Sequence, residues 1–226
     1  MSFETKCLQA QRDADPTIND KVATRALLKS WGYPTADLVA YAPDPALLEP
    51  YLDGLVVVKP RNGSTSHGVH ALQDLNCLIC HQTFTVESLA ADINAWNQRF
   101  GWTEGAIVET AHVYRGELAY EYKAYCFDRP RLIQGRHHSD RYAWWSEGER
   151  VRVGKLDRKL DPDFPPPPEG LEELAHSVRE RFPWLGFMRI DCYWTDEGWK
   201  VGELADHVGN RWFNSEWDRR LGEWWS

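Results

Sequence analysis

The chain has 226 residues, of which 42% are hydrophobic and 27% charged, and its net charge is −8. This length and composition are typical of a globular protein with a sizeable core in one domain or two lobes. The acidic balance argues against an extended nucleic-acid interface, although it leaves room for a local basic pocket that binds a nucleotide. No apolar run approaches the roughly 20 residues of a membrane span, and the first residues contain no apolar targeting segment. We therefore expect a cytoplasmic protein without nucleic-acid or membrane partners.

The start of the chain predicts one helix after a polar segment. Residues 1–19 are polar, and we expect them to form a loosely packed lead-in segment. The sequence DKVATRALLKSWG then predicts a helix with Asp20 as its N-cap and Gly32 at its end.

The stretch from Val56 to Val69, VVVKPRNGSTSHGV, combines a predicted strand with a polar loop. The strand Leu55–Val58 ends at Lys59, and the following glycines can adopt positive φ or let backbone N–H groups approach an anion. The loop is not a P-loop, because the lysine precedes the glycines. Residues 68–72 predict a second strand that pairs with the first as a hairpin. The stretch is therefore a candidate phosphate-binding turn.

Cysteine spacing raises the question of a bound metal or haem. Cys77, Cys80 and His81 form a CxxCH pattern within a chain of five cysteines. Covalent haem attachment would require export, for which the sequence has no signal. A zinc site is a weaker alternative than two half-buried thiols, because no second ligand pair stands at a recognisable spacing.

The remaining pattern alternates strands and helices. Apolar spacing predicts a helix over 88–100, beginning as early as Thr85, a strand over 106–108 that leads to Glu109, and a turn at Arg115–Gly116. Further predicted elements are strands 118–127, 131–134 and 151–153, a polyproline spacer 165–168, a helix 169–182, and strands 186–194 and 199–204. Strands grouped around helices indicate an α+β fold with two lobes that join near Glu109.

Charged residues stand at the ends of separate predicted strands. Asp191 and Glu203 lie in two adjacent strands joined by a turn, so both carboxylates can point into one cleft. Arg189 is on the same strand face as Asp191, two residues earlier. A lysine such as Lys59 opposite paired carboxylates suits Mg²⁺-ATP, in which the metal bridges carboxylate and phosphate oxygens. The alternative is a surface ion pair between Arg189 and Asp191.

A lysine within a strand of core character also needs an explanation. Lys123 lies in the apolar strand 118–127. A buried ammonium requires an anionic partner, so a phosphate or a substrate carboxylate near Lys123 is an expected ligand.

Several segments in a fixed order now resemble the ATP-grasp superfamily, and within it the TupA-like (teichuronopeptide-biosynthesis) group. They are DK at 20–21, VVKPRNGSTSHGV, IVE at 107–109, YEYKAYCF at 120–127, MRID and GEL. The resemblance spans residues 20 to about 222, nearly the whole chain. The resemblance implies two α+β lobes that clamp ATP. The N-terminal lobe would be residues 20–108 with a phosphate-covering loop, and the C-terminal lobe would be residues 109–226 with the metal site.

The resemblance also implies a role for individual residues. Phosphate contacts would come from Lys21 and Lys59, and from a mobile loop at 63–68 that contains Ser64, Ser66 and Gly68. The adenine hinge would be Glu109 with its neighbours Val108, Thr110 and Ala111, and the ribose would contact Glu117. The metal ligands would be Asp191 and Glu203, and Arg189 would steady the transferring phosphoryl group, with Lys59 and Lys123 completing the catalytic cations. From the residues alone, Lys21 could instead be a solvated lysine, and Glu109 and Glu117 exposed loop acids.

The sequence departs from the ATP-grasp pattern in two respects. Ala205 stands where many members have an asparagine metal ligand, so we expect Asp206 or Asn210 to substitute, or the second Mg²⁺ site to be weakened. We expect the usual N-terminal domain that precedes the two lobes to be absent, so that a homodimer, a partner subunit or a large peptide-like substrate would complete the acceptor site.

The resemblance implies an ATP-dependent ligase that joins a carboxylate to an amine through an acyl-phosphate. No nucleophilic side chain is required for such a reaction. The alternative is a kinase that phosphorylates a hydroxyl of a small molecule or sugar, for which Asp206 or His207 could act as base. A third possibility, a nucleotide-binding scaffold without catalysis, is disfavoured by the joint presence of the lysines, Arg189 and both carboxylates.

Overall fold

The computed structural model describes residues 1–10, 18, 20–63, 66–102, 105–137, 142–154, 160–208 and 213–225. The described strands form two larger antiparallel sheets and one short ribbon, with helices packed on the sheets. The predicted mixture of helices and strands in an α+β fold is confirmed. Among the described residues, no helix is both long enough and apolar enough to cross a membrane.

The first sheet has five strands in the spatial order β1-β5-β2-β3-β4. These strands are Leu38–Ala42 (β1), Leu55–Pro60 (β2), His70–Gln73 (β3), Asn76–Cys77 (β4) and Ala106–Thr110 (β5). The predicted hairpin is confirmed, because β2 and β3 pair antiparallel with Val58 opposite His70. Since β5 inserts between β1 and β2, Lys59 and Glu109 come to lie in neighbouring strands.

One long helix and a short 3₁₀ helix cover the first sheet. Helix α3 (Val86–Phe100) begins at Thr85, which forms a capping box with Ser88, and ends at Gly101 in the left-handed conformation. The buried face of α3 packs with β2 and β3 in a shared apolar core. The 3₁₀ helix Pro45–Tyr51 adds to the same core. The helix predicted over 88–100 is therefore confirmed, with its cap at Thr85.

The second sheet has six strands in the order β11-β10-β9-β8-β12-β13. They are Glu121–Cys126 (β8), Pro130–Arg136 (β9), Tyr142–Ser146 (β10), Glu149–Arg150 (β11), Met188–Thr195 (β12) and Gly198–Ala205 (β13). The ribbon consists of Val113–Tyr114 (β6) and Glu117–Leu118 (β7), joined by the predicted turn at Arg115–Gly116.

Both faces of the second sheet are covered, which explains why its central strands lack a clean apolar alternation. Tyr122 and Ala124 of β8 face a core formed with helix α4 (Leu171–Arg179), and Tyr125 faces the opposite core. Alternate residues of a strand point to opposite faces, so a strand buried on both sides is apolar almost throughout.

Helix α2 (Lys21–Ser30) starts at the predicted N-cap, since the Asp20 side chain accepts backbone N–H groups of Val22 and Ala23. Its Leu28 belongs to the core of the second sheet, although α2 precedes the first sheet in the chain. In this way α2 carries Lys21 and Arg25 towards charged groups of both sheets. The division into lobes at residues 108 and 109 stays a prediction.

The first residues differ from the expected loosely packed lead-in. Helix α1 (Phe3–Ala10) packs against helix α5 (Ser215–Trp224), and Phe3 is fully buried. Phe3 makes edge contacts with Phe127 and Phe187 of the second sheet's core. The prediction is wrong for residues 3–10, because these contacts bury the few apolar residues of an otherwise polar segment.

The prediction of a strand over residues 151–153 is also wrong. β10 instead turns at Glu147 and Gly148 and pairs with β11. Residues 151–153 follow as an irregular segment in which Val153 is buried in the core.

Candidate active site

A buried ion cluster joins the two central strands of the first sheet to helix α2. Lys59 of β2 and Arg25 of α2 both donate to the carboxylate of Glu109 in β5, and all three side chains are buried. The antiparallel register places Lys59 opposite Ile107 and Val57 opposite Glu109, so the lysine and the glutamate are diagonal neighbours on one face. The sheet pairing therefore positions the ammonium and the carboxylate, and α2 supplies the second cation.

Lys59 is held in surroundings that disfavour its charge. Burial, followed by the neighbouring positive charge of Lys21, lowers the pKa of Lys59 to about 7. The carboxylates of Glu203 and Glu121 oppose this shift, and the charge of Arg25 adds to it. An additional anion beside Lys59 would restore its protonated form.

The start of α2 is tied to the loop that follows β2. Lys21 donates to the backbone carbonyl of Gly63 and lies 3.9 Å from a carboxylate oxygen of Glu203. Arg61 pairs with Asp20 at 2.5 Å, so the N-cap residue is itself anchored to the loop. Lys21 thus stands between the predicted phosphate loop and the predicted metal ligands.

A second buried cluster lies in the second sheet, where β12 pairs with β8. The register sets Asp191 opposite Lys123, and the lysine donates to the Asp191 carboxylate. Arg189 of the same strand donates to both oxygens of Asp191 at 2.6 and 2.9 Å. Such paired, charge-assisted hydrogen bonds hold a carboxylate in a defined orientation. Asp191 is only 1% exposed, so the carboxylate and its two cations form one compact unit.

The charges of this second cluster stabilise one another. Burial alone raises the pKa of Asp191, but Arg189 and Lys123 outweigh it and hold that pKa below its ordinary value. Burial lowers the pKa of Arg189, but Asp191 raises it well above the ordinary arginine value. Both groups are therefore charged.

Glu203 completes the arrangement from the neighbouring strand. The predicted adjacency is confirmed, because β12 and β13 place Asp191 directly opposite Glu203. The side chain of Glu203 is 35% exposed, in contrast to Asp191. Glu203 therefore offers a carboxylate that solvent or a ligand can reach, between Lys21 and the Asp191 cluster.

Asp206 follows β13 and is buried. Its carboxylate pairs with Nδ1 of His207 at 2.6 Å. Asn210, the other predicted substitute for the missing asparagine, lies outside the described residues.

The predicted phosphate loop is described in part. Ser64 lies outside the described residues, whereas Ser66 adopts a positive φ and accepts a 3.3 Å hydrogen bond from Arg136 of β9. Gly68 also has a positive φ, and a Cβ there would lie 3.1 Å from atoms of Pro60 and Trp96. Only glycine fits this position without strain.

The predicted nucleotide residues beyond β5 lie at its end and in the ribbon. The hydroxyl of Thr110 accepts the backbone N–H of Asp37, and Ala111 follows β5 in a segment outside the strands. Glu117 is exposed at the start of β7. The side chain of Glu109, by contrast, is committed to the buried ion cluster.

Four site residues were missed by sequence reasoning. Glu121 contacts Lys123 at 2.8 Å and accepts a 2.9 Å hydrogen bond from Tyr193, which in turn stacks on His112 with ring centroids 4.3 Å apart. The spacing could have indicated two of these residues. Arg25 stands four residues after Lys21 and so shares its helix face, and Glu121 stands two residues before Lys123 and so shares its strand face. Nothing in the sequence brings His112 to Tyr193, 81 residues later.

His112 is a neutral, half-buried imidazole whose Nε2 atom is buried. Burial and then the positive charge of Lys59 lower the pKa of His112 to about 3. Its Nε2 has no hydrogen-bond partner among the described residues, and the same is true of Nη1 of Arg25. Buried polar atoms without partners are uncommon and point to a missing ligand or solvent atom.

The residues fit a magnesium ion and a polyphosphate. Carboxylate oxygens are the ligands that Mg²⁺ takes from proteins, and Asp191 with the more accessible Glu203 supplies them side by side. Lys59 of the first sheet and Lys21 at the start of helix α2 face the same region. The unpartnered donor of Arg25 adds a further buried group able to contact an anion.

Solved structures of ATP-grasp proteins have a similar fold. A RimK domain ATP-grasp protein from Sphaerobacter thermophilus is 14% identical with a TM-score of 0.52, covering 86% of this chain and 61% of that one. The D-alanine–D-alanine ligase of Helicobacter pylori is 15% identical with a TM-score of 0.51, covering 92% and 60%. That of Bacillus anthracis is 17% identical with a TM-score of 0.50, covering 85% and 58%. The chain therefore spans about three fifths of the length of these proteins.

The fold shared with these structures is that of an ATP-grasp protein, as the sequence pattern implies. The family model of the TupA-like ATP-grasp proteins matches residues 52–226, and the chain belongs to this family. None of the curated proteins matches the sequence significantly.

Proposed function

We propose that the protein is a cytoplasmic, ATP-dependent ligase that joins a carboxylate to an amine through an acyl-phosphate. The observation that carries this proposal is the convergence of Lys21, Lys59, Arg189, Asp191 and Glu203 from a helix and three strands. Membership of the TupA-like ATP-grasp family supports ATP as the phosphoryl donor. The fold is also shared with D-alanine–D-alanine ligases, which supports amide formation over other uses of ATP.

In this proposal the nucleotide lies between the two sheets. Lys21 and Lys59 neutralise the phosphates, with Ser64, Ser66 and Gly68 covering them from the loop. The base contacts Thr110 and Ala111 at the end of β5, and Glu117 receives the ribose hydroxyls. Because its side chain is engaged by Lys59 and Arg25, Glu109 contributes to this hinge through its position in β5.

The metal would be held by Asp191, Glu203 and Asp206, and when bound it neutralises charge on the phosphate oxygens. Arg189 and Lys123 keep Asp191 ionised and oriented before any ligand arrives. Arg189, Lys59 and Lys123 then stabilise the negative charge of the transferring phosphoryl group.

The reaction requires two displacements. A substrate carboxylate oxygen attacks the terminal phosphorus of ATP, the bond to the bridging oxygen breaks, and ADP leaves. The amine nitrogen then attacks the carbonyl carbon of the acyl-phosphate, the C–O bond to phosphate breaks, and inorganic phosphate leaves with the electron pair. The amine proton is released to solvent. The protein contributes charge and orientation, and no side chain forms a covalent intermediate.

A kinase is the second candidate, because the 2.6 Å pair of Asp206 and His207 just beyond β13 could accept a proton from a substrate hydroxyl. Hydroxylamine separates the two reactions. A ligase should release ADP only with a carboxylate present and form a hydroxamate when hydroxylamine replaces the amine. ADP release with an alcohol alone, and without hydroxamate, would reject the ligase.

The substrates proposed are small-molecule or peptide-like carboxylates and amines. Arg136 and His137, at the end of β9 beside the loop residue Ser66, are candidates for contact with the carboxylate substrate. We also propose that a homodimer or a partner subunit completes the acceptor site. Light scattering with and without ATP measures the molar mass in solution, and a mass of two chains would support the homodimer.

A further inference from the structure

The β3-β4 hairpin brings together three metal-binding side chains away from the candidate active site. His70 at the start of β3, Cys77 at the end of β4 and Cys80 in the following turn have ligand atoms that all lie within 4.8 Å of one another. Zinc bond lengths of about 2.0–2.3 Å place neighbouring ligand atoms of a tetrahedral ion roughly 3.3–3.8 Å apart. The cluster is therefore close to a binding geometry.

The carboxylate of Asp92 orients His70 for metal binding. Its Nε2 lies 3.0 Å from Oδ2 of Asp92 in helix α3, so that nitrogen carries the proton. The other nitrogen, Nδ1, is buried and has no hydrogen-bond partner among the described residues, and the whole side chain is only 8% exposed. A carboxylate that fixes the imidazole and leaves the opposite nitrogen free is the usual outer partner of a metal-binding histidine.

The cysteine turn supports the same conclusion. Cys77 is buried at the end of the hairpin, and its sulfur accepts the backbone N–H of Cys80 at 3.4 Å. The backbone N–H of His81 bonds the carbonyl of Cys77, which closes the turn and brings both sulfurs to one side. Cys80 is exposed, so the site is open to solvent at one position.

The geometry points to a zinc site formed by Nδ1 of His70 and the thiolates of Cys77 and Cys80, with water or a further group as the fourth ligand. Two thiolates and an imidazole match the ligand preference of Zn²⁺ and exclude the oxygen-preferring Mg²⁺ of the candidate active site. The missing second ligand pair of the CxxC motif is replaced by the histidine of the adjacent strand. The ion would tie the hairpin to helix α3 through His70 and Asp92.

Metal analysis of the reduced chain of residues 1–226 tests this proposal without ATP. We expect about one zinc per chain after purification without chelator. After chelation, cobalt(II) should produce the sulfur-to-metal charge-transfer absorption and the visible bands of a tetrahedral site. Absence of zinc together with no cobalt spectrum would overturn the proposal, as would a Cys77–Cys80 disulfide in the untreated protein. Stoichiometric copper in place of zinc would overturn the assigned metal.

Matched variants identify the ligands. Cys80→Ser changes an exposed side chain and should abolish zinc binding without unfolding the chain. His70→Gln should also abolish zinc binding, and circular dichroism tests whether this variant stays folded. Asp92→Asn should weaken zinc affinity about 10–100-fold, because it acts through His70. His81→Gln and Cys7→Ala are controls that should keep the metal. Full zinc occupancy in Cys80→Ser or loss of zinc in Cys7→Ala would contradict the ligand set.

Discussion

Two buried carboxylates, Glu109 and Asp191, are each held between an arginine and a lysine, but different parts of the fold supply these cations. Glu109 in β5 receives Lys59 from the neighbouring strand and Arg25 from helix α2. For Asp191, Arg189 comes from the same strand and Lys123 from its paired strand. The Asp191 cluster is thus determined by the register of one sheet, whereas the Glu109 cluster depends on how α2 sits beside the first sheet.

The two arginines differ in the direction of their pKa shifts. Burial lowers the pKa of Arg25, whereas the carboxylate of Asp191 overcomes burial and raises the pKa of Arg189. The pKa of Lys59 also falls, to about 7. The Asp191 cluster contains a further carboxylate, because Glu121 contacts Lys123, whereas the two cations at Glu109 share one carboxylate. This difference favours the Glu109 side as the place where an anionic ligand is received.

Breaking the Asp191 cluster should have the largest effect. Asp191→Asn leaves the half-buried Arg189 without its counter-charge and leaves Lys123 with Glu121 as its remaining partner. We therefore expect a loss of about 3–5 kcal/mol in the free energy of unfolding. Urea titration measures this loss. ADP release should also be abolished under conditions in which circular dichroism shows the variant to be folded.

Asp128→Asn is the matched control. Arg131 donates to both oxygens of Asp128 at 2.9 and 2.6 Å, nearly the geometry of Arg189 and Asp191, but the Asp128 side chain is 63% exposed. The Asp128→Asn variant should lose less than about 1 kcal/mol in the free energy of unfolding. Equal losses in the two variants would refute the argument that burial makes the Asp191 cluster different.

The charge deficit around Glu109 should appear as a pH dependence of stability. The pKa of Lys59 is about 7 in the folded chain against 10.5 for an ordinary lysine. Between these values the unfolded chain binds more protons than the folded one, so stability rises with pH, by up to about 1.4 kcal/mol per unit. Below pH 7 both states are protonated and the slope from Lys59 vanishes.

Lys59→Met isolates this contribution. Urea titrations at pH 6.5, 8 and 9.5 should show the wild type gaining stability relative to the variant as the pH rises. If the difference in unfolding free energy between the wild type and the variant is the same at all three pH values, Glu109 keeps Lys59 charged. The two clusters would then be alike in this respect. Lys59→Met should also abolish ADP release, and undiminished release would reject its place in the candidate active site.

The parts of the fold that could be predicted rest on local patterns. The hairpin of β2 and β3 and the pairing of Asp191 with Glu203 each depend on short strands joined by one turn, so period-two alternation suffices. The contact of Arg25 with Glu109 spans 84 residues and follows from the packing of α2 on the second sheet, which no local pattern encodes.

The same reason explains the errors and the omissions. Burial of Phe3 depends on aromatic residues more than 120 positions away, so composition alone predicts a loosely packed segment where helix α1 forms. His70 is near Cys77 in sequence, but its meeting with the two sulfurs depends on the β3-β4 register and on the imidazole orientation set by Asp92. Sequence spacing alone could not supply either.

The smallest effect is expected where a neutral group borders the Asp191 cluster. Tyr193→Phe removes the 2.9 Å hydrogen bond to Glu121 but keeps the ring stacked on His112. Because Glu121 still contacts Lys123 at 2.8 Å, we expect a loss near the lower limit for bonds to charged groups, about 1.5 kcal/mol. Tyr122→Phe is the control, since its hydroxyl donates to the neutral carbonyl of Pro165 at 3.2 Å. If urea titration shows a larger loss of unfolding free energy for Tyr122→Phe, the charge on Glu121 does not strengthen its hydrogen bond with Tyr193. The Asp191 cluster would then include Lys123 but not Glu121.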